Sequence, residues 1–256
     1  MSLAMWALRT AAVEALRGAT LVGDNVLDSE IAPLDLGPDG RVTTDRKQPF
    51  IAVYTDAADH TLDATTRLRG NGVVEVVFNT GVSAAMAVAD RETGRSEIVE
   101  GLPATDASLE LILDILACQI WRVLSDPGNP WAQVFLELGQ IRGKSQARSS
   151  SGAERLRLAA GQLRISVEAL PDPILGQDLP PASPWRRLLA LMLAAEHPNA
   201  ALFAMMLGEH EPALYPQVER LLGAPVRNVE AMGVYEFGGV GRDVAVTDAA
   251  LETGAD

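Results

Sequence analysis

The chain has 256 residues, of which 48% are hydrophobic, so it can bury a sizeable core. Acidic residues outnumber basic ones by 34 to 21, giving a formal net charge of −13, and aromatic residues make up only 5%. This composition disfavours sequence-independent binding to nucleic acid and base-stacking surfaces. No run approaches the roughly 20 apolar residues that cross a bilayer, which predicts a soluble protein without a membrane partner. Cys118 is the only cysteine, which excludes an intrachain disulfide and a multi-thiolate zinc site.

The first part of the chain predicts a helix followed by strands. Ser2 as a cap and Gly18 as a stop enclose an amphipathic helix. After a turn-rich loop, two runs of β-branched and aromatic residues, Phe50 to Thr55 and Val73 to Phe78, predict central strands. The segment 84–100 alternates around a turn sequence at residues 91–94 and predicts a projecting hairpin.

The middle of the chain predicts a helix, a loop and a strand. Asp106 is a possible cap for a heavily buried helix to Leu124, in which Cys118 is an inert core residue. The Ser- and Gly-rich, basic stretch from Ile141 to Arg157 predicts a flexible loop. From Gln162 to Leu170 apolar and polar residues alternate, as in a strand with one buried and one solvent-exposed face.

Prolines after residue 170 suggest a boundary, and the segments that follow predict three short helices at about 185–196, 199–207 and 212–222. We therefore expect three regions: an α+β core (1–178), a small helical module (179–225), and a strand with an acidic tail (226–256). The predicted fold class is α+β, a mixed β-sheet covered by helices, with a projecting hairpin and a C-terminal helical module.

Catalytic motifs are largely missing from the sequence. It contains no phosphate-binding loop, dinucleotide fingerprint or nucleophile elbow. The best enzyme-like cluster is Asp56, Asp59, His60 and Asp63, whose oxygen and imidazole groups are typical ligands of a divalent metal. The alternative is a solvated loop whose aspartates cap turns. We favour the loop and expect no catalytic, metal or cofactor site; the remaining histidines, His197 and His210, are expected at the surface.

The order of several segments resembles the tail terminator proteins of long-tailed phages and related gene-transfer particles. The resemblance covers about residues 3–176 and rests on the following segments: the first helix ending in Leu16-Arg17-Gly18, the stretch from Thr20 to Asp28, the strands at 50–55 and 73–78, the helix 106–124, and the strand 158–170 followed by Asp172-Pro173. Two segments exceed the compact core of that family, namely 82–102 and the helices after Pro184.

The resemblance implies an α+β fold and a structural role in the virion, assembled in the host cytoplasm. It implies a homohexameric ring that binds the tail tube protein, ends tube growth and meets the head-tail connector, with DNA only as cargo in the lumen. The candidate interface residues are Arg142, Lys144 and Arg148 of the basic loop and Arg91 and Arg95 of the hairpin. The alternatives are a head-completion or neck adaptor protein and a metal-dependent hydrolase using Asp56, Asp59 and His60.

Overall fold

The computed structural model describes residues 3–30, 35–36, 42–43, 48–59, 70–83, 88–89, 96–99, 102–103, 105–153, 156–174 and 178–208. The helices in these ranges are α1 (Leu3–Leu16), α2 (Asp106–Leu124), α3 (Pro130–Glu137), α4 (Pro184–Ala194) and α5 (Ala200–Leu207). The strands are β1 (Val26–Asp28), β2 (Asp35–Leu36), β3 (Val42–Thr43), β4 (Phe50–Asp59), β5 (Val73–Ser83), β6 (Val88–Ala89), β7 (Ser96–Val99), β8 (Leu102–Pro103), β9 (Gly139–Ala153) and β10 (Leu156–Ala169). None of the helices in this part of the chain is long and apolar enough to cross a membrane.

A five-stranded mixed sheet in the order β1-β4-β5-β10-β9 organises the fold. The β1 strand is parallel to β4, and the other neighbours are antiparallel. Two smaller sheets join β2 with β3 and β6 with β7 and β8. The predicted α+β class with a mixed sheet and covering helices is therefore confirmed. The antiparallel pairing of β6 with β7 falls in the predicted hairpin, whose turn at 91–94 lies outside the described residues.

The main core lies between one face of the sheet and the helices. Val53 and Leu163 both stand opposite Phe78, and because paired residues share a face, these three side chains form a buried row across β4, β5 and β10. The α2 helix packs against β5 and β10, and α1 packs against β4 and α3. The predicted alternation along β10 is confirmed, because Leu163, Ile165 and Val167 are buried while Glu168 is exposed.

The described helices after the proline-rich segment share this core. Trp185 and Leu188 of α4 and Phe203 of α5 belong to the same buried cluster as the residues of α1. The Phe203 ring meets Trp6 of α1 edge to face, with the ring centroids 5.3 Å apart. The predicted helix at 212–222 and the predicted strand and tail at 226–256 lie outside the described residues.

Between residues 105 and 138 the structure adds a helix that the sequence did not predict and assigns a different cap to α2. The α3 helix was missed because Pro127 and Pro130 were interpreted only as breakers. Asn129 caps this helix by accepting hydrogen bonds from the amides of Trp131 and Ala132, and Pro130 takes the first helical position, where its missing amide costs nothing. The cap of α2 is Thr105, whose hydroxyl accepts a hydrogen bond from the amide of Ser108, and Asp106 lies in the first turn.

A distant aspartate fixes the start of α1. The carboxylate of Asp172 accepts hydrogen bonds from the amides of Leu3 (3.2 Å) and Ala4 (3.1 Å), and from the side-chain amide of Asn71 (2.8 Å). The predicted cap, Ser2, lies outside the described residues. Asn71 also donates to the carbonyl of Leu170 at 2.7 Å. Asp172 and Asn71 together form a clamp that connects the start of α1 to the end of the sheet.

We expect Asp172→Ala to lower the free energy of unfolding by about 1–2 kcal/mol, the usual cost of losing a helix cap. Urea unfolding followed by circular dichroism measures this loss. Asp178→Ala is the matched control, because the Asp178 side chain is 95% exposed, and it should change stability by less than about 0.5 kcal/mol. Equal stabilities of the two variants would contradict the clamp.

Candidate interface at strand β9

The predicted basic loop is wrong: Arg142, Lys144 and Arg148 lie on β9, which pairs with β10 from Gly139↔Ala169 to Ala153↔Leu156. Glycine is depleted in strands, and clusters of serine and glycine are typical of loops, so the local composition indicated a loop. The antiparallel ladder to β10 supplies the backbone hydrogen bonds that the composition alone does not predict. Residues 154–155 lie outside the described part.

The β9 strand is an edge of the sheet. Within the described residues, β10 is the one strand hydrogen-bonded to it, and β3 lies close to both β9 and β10. Every described side chain from Gln140 to Ser149 is exposed, apart from the half-buried Gly143. Ile141 is 46% exposed, which is unusual for a large apolar residue on a strand. A long, exposed edge of this kind is a template for pairing with another chain.

Each of the three cations on β9 has a partner, either on the neighbouring strand β10 or on the helix α2. Arg142 donates through Nε to the carboxylate of Glu168 on β10 at 2.6 Å, and both side chains are about half exposed. Lys144 places Nζ 4.9 Å from the centroid of the Trp121 ring on α2, a cation–π contact. These contacts hold the long side chains against the sheet and the helix while their charges remain at the surface.

Arg148 makes the most charged contact of the strand. Its guanidinium donates hydrogen bonds to Asp114 and, at 3.1 Å, to Glu110. These two acidic residues are one helical turn apart on α2. The hydrogen bond to Asp114 is the largest cause of a raised pKa of Arg148; partial burial opposes it, and the negative charges of Asp114 and Glu110 and the hydrogen bond to Glu110 add to it. The guanidinium therefore keeps its positive charge throughout the accessible pH range. Arg91 and Arg95, the other candidate interface residues, lie outside the described residues.

The outward side of α2 is less buried than the sequence predicted. Cys118 is exposed, not a core residue, and Leu111 is 46% exposed. The helix is apolar over most of its circumference, so the sequence alone does not show which stripe meets the sheet. The buried stripe is formed by Leu109, Ile112, Leu113, Leu116 and Ile120.

The structure describes only part of the predicted acidic cluster. Asp56 does not follow a strand; it lies within β4, which continues to Asp59 through an irregularity between Thr55 and Ala58. Its carboxylate is 3.2 Å from the guanidinium of Arg164 on β10. His60 and Asp63 lie outside the described residues, and among those that are described no group of three potential metal ligands occurs.

His197 is not the solvated residue that the sequence suggested. Its side chain is only 10% exposed, and Nε2 lies 3.9 Å from the carboxylate of Glu14 on α1. Nδ1 accepts a hydrogen bond from the amide of Asn199 at 3.2 Å, so His197 connects the α4–α5 turn with the first helix. His210 lies outside the described residues.

Sequence reasoning missed a row of polar side chains on the sheet face opposite the main core. Arg164 donates to the side-chain oxygen of Gln162 at 2.9 Å, and the Gln162 amide group donates to Asn79 at 3.1 Å. Asn79 in turn donates to the hydroxyl of Tyr54 at 3.1 Å. The alternation along β10 already placed Gln162 and Arg164 on a wet face, but their partners on β4 and β5 depend on strand register.

Comparison of the sequence with protein-family models and with curated proteins finds no match.

Proposed function

We propose that this chain is a structural assembly protein, a tail terminator whose copies form a ring that caps the tail tube and joins it to the head connector. The β9 strand carries this proposal, because it is long, exposed and at the edge of the sheet. A ring subunit works through surfaces that bind neighbouring copies and partners, and an edge strand is such a surface. The order of helix and strands that resembles tail terminators is a second support.

The acidic composition is compatible with this role. A net charge of −13 favours weak contact with DNA, as is needed where DNA passes through a ring without sticking. The proposed site of action is therefore the tail or neck of a virion, with the tube protein and the connector protein as partners. A head-completion or neck adaptor, which also forms rings, is the nearest alternative function.

The contacts of Asp56 favour assembly over the alternative metal hydrolase. A metal-binding carboxylate must face its ion, whereas the Asp56 carboxylate lies 3.2 Å from the guanidinium of Arg164 on β10, two strands away in the sheet. Metal analysis of purified protein tests the hydrolase directly. One equivalent of Zn, Mn or Mg retained after chelator washing, and lost in His60→Ala together with a hydrolytic activity, would overturn the assembly proposal.

The assembly proposal is tested by mass and by imaging. Light scattering of the protein, alone and with purified tail tubes, should give a ring-sized oligomer, and a hexamer is expected. Negative-stain images should show rings at one end of the tubes, and tubes grown with the protein present should stop lengthening. A monomer under both conditions, with tubes growing as they do without it, would contradict the proposed function.

A further inference from the structure

The two edges of the five-stranded sheet carry opposite charge. The β9 strand, residues 139–153, contains Arg142, Lys144 and Arg148 and no acidic residue. At the other edge, β1 lies in the stretch 22–30, which contains Asp24, Asp28 and Glu30 and no basic residue. Asp24, Asp28 and Glu30 are all exposed.

The described partners of Arg142, Arg148 and Asp28 all lie on neighbouring elements of the same molecule. The carboxylates that meet Arg142 and Arg148 belong to β10, the strand next to β9 in the sheet, and to α2, which packs on β10 and β5. At the opposite edge, Arg9 of α1 donates to Asp28 at 2.6 Å, and α1 packs on the helix-covered side of the sheet. Among the described residues, a neighbouring molecule that approaches along the sheet therefore meets the cations of β9 at one edge and the carboxylates of the stretch 22–30 at the other.

We propose that β9 of one copy docks against the β1 edge of the next copy, so that the sheets follow one another head to tail. This inference rests on the proposed ring function and names the surfaces that build the ring. A contact between two different patches repeats from copy to copy and closes into a ring when the rotation allows. Pairing of β9 with β9 through a two-fold axis is the competing arrangement, and it would not involve β1.

Opposite charges across an interface set its orientation, and like charges placed there oppose binding. The ion pairs that Arg142 and Arg148 form within the chain lie at the surface, where such pairs contribute little free energy. The cations are therefore able to share their hydrogen bonds with carboxylates of a neighbouring copy. Because the contact is at the surface, salt should weaken it. The association constant of the wild-type protein should therefore fall as ionic strength rises.

A charge-swap experiment separates the two arrangements. The first variant, Asp24→Lys with Glu30→Lys, makes the β1 edge basic, and the second, Arg142→Glu with Lys144→Glu, makes β9 acidic. We expect each variant alone to associate about 100-fold more weakly than the wild type, because like charges then meet. An equimolar mixture should form oligomers again, since the basic β1 edge of one variant faces the acidic β9 of the other.

The control variant Asp178→Lys with Glu196→Lys makes the same change in net charge as the first variant, at exposed positions on neither edge. It should associate like the wild type, as measured by light scattering and native mass spectrometry. Circular dichroism must show that each variant is folded. A single chain that carries all four edge substitutions should assemble with itself, and it provides the test if one of the two double variants folds poorly.

Three results would overturn the docking inference while leaving the ring function intact, in each case with a wild-type protein that still forms rings. In the first, both edge variants also assemble; in the second, only the β9 variant is impaired. In the third, neither the mixture nor the four-substitution chain recovers assembly. A wild-type protein that stays monomeric on tail tubes would instead overturn the ring function itself.

Discussion

Replacing Phe203 with alanine should lower the free energy of unfolding by about 3–5 kcal/mol, the usual cost of removing a buried aromatic side chain. Phe203 is completely buried and packs edge to face on Trp6, so its removal leaves a cavity between α5 and α1. Urea unfolding measured by circular dichroism and by tryptophan fluorescence gives the loss. Both probes should report one common transition, because α5 shares the core of the sheet and α1.

The neighbouring residue Leu202 supplies the matched control. Its side chain is 48% exposed on the same helix, and leucine and alanine have similar helix propensity. Leu202→Ala should therefore change stability by less than about 0.5 kcal/mol. A small effect of Phe203→Ala, or a separate early transition confined to α5, would show that the helix is not part of the common core.

Replacing Gly139 with alanine should lower stability by about 1–3 kcal/mol and disturb the pairing of β9 with β10. A Cβ atom at Gly139 would lie 2.5 Å from the carbonyl oxygen of Glu168 and 2.6 Å from a methyl carbon of Val167. The first of these contacts is with backbone, so β10 itself would have to move. Thermal unfolding measures the loss, and hydrogen exchange of the β9 and β10 amides locates it.

Gly143, on the same strand, gives the comparison that isolates this clash. A Cβ atom there would meet nothing closer than the Ser166 hydroxyl at 3.9 Å, an ordinary contact. We expect Gly143→Ala to be neutral or slightly stabilising, because alanine restricts the unfolded chain more than glycine does. If Gly139→Ala and Gly143→Ala lower the free energy of unfolding equally, the close approach of β9 to β10 is not the reason why Gly139 does not tolerate a side chain.

Local patterns predicted most of the fold because the burial they require is periodic. The alternation of Leu163, Ile165 and Val167 with polar residues is correct for β10, and the bounds of α2 match the prediction from its apolar spacing. Strand ends were placed too early: β4 continues to Asp59 and β5 to Ser83. Strand length depends on how far the neighbouring strands pair, which composition does not record.

The candidate interface is less accessible to sequence reasoning than the core. The three cations of β9 were identified by their charge, but as members of a loop, and their partners Glu168, Trp121, Glu110 and Asp114 were not. Partner choice depends on which face of β9 meets α2, and that is fixed by the register with β10. Surface charges impose no periodic pattern from which this register could be predicted.

The sequence by itself determined the fold class, the helices α1 and α2 and the buried face of β10, because in each of these the residues that decide the structure lie within one or two turns or strands of one another. Tertiary structure alone decided that Ile141 lies on a paired strand, that Cys118 faces outward, that His197 is mostly buried beside Glu14, and that Asp172 caps α1. The carboxylate of Asp172 and the amide of Leu3 are 169 residues apart. A hydrogen bond over that separation exists only after the sheet and the helices have brought its two ends together.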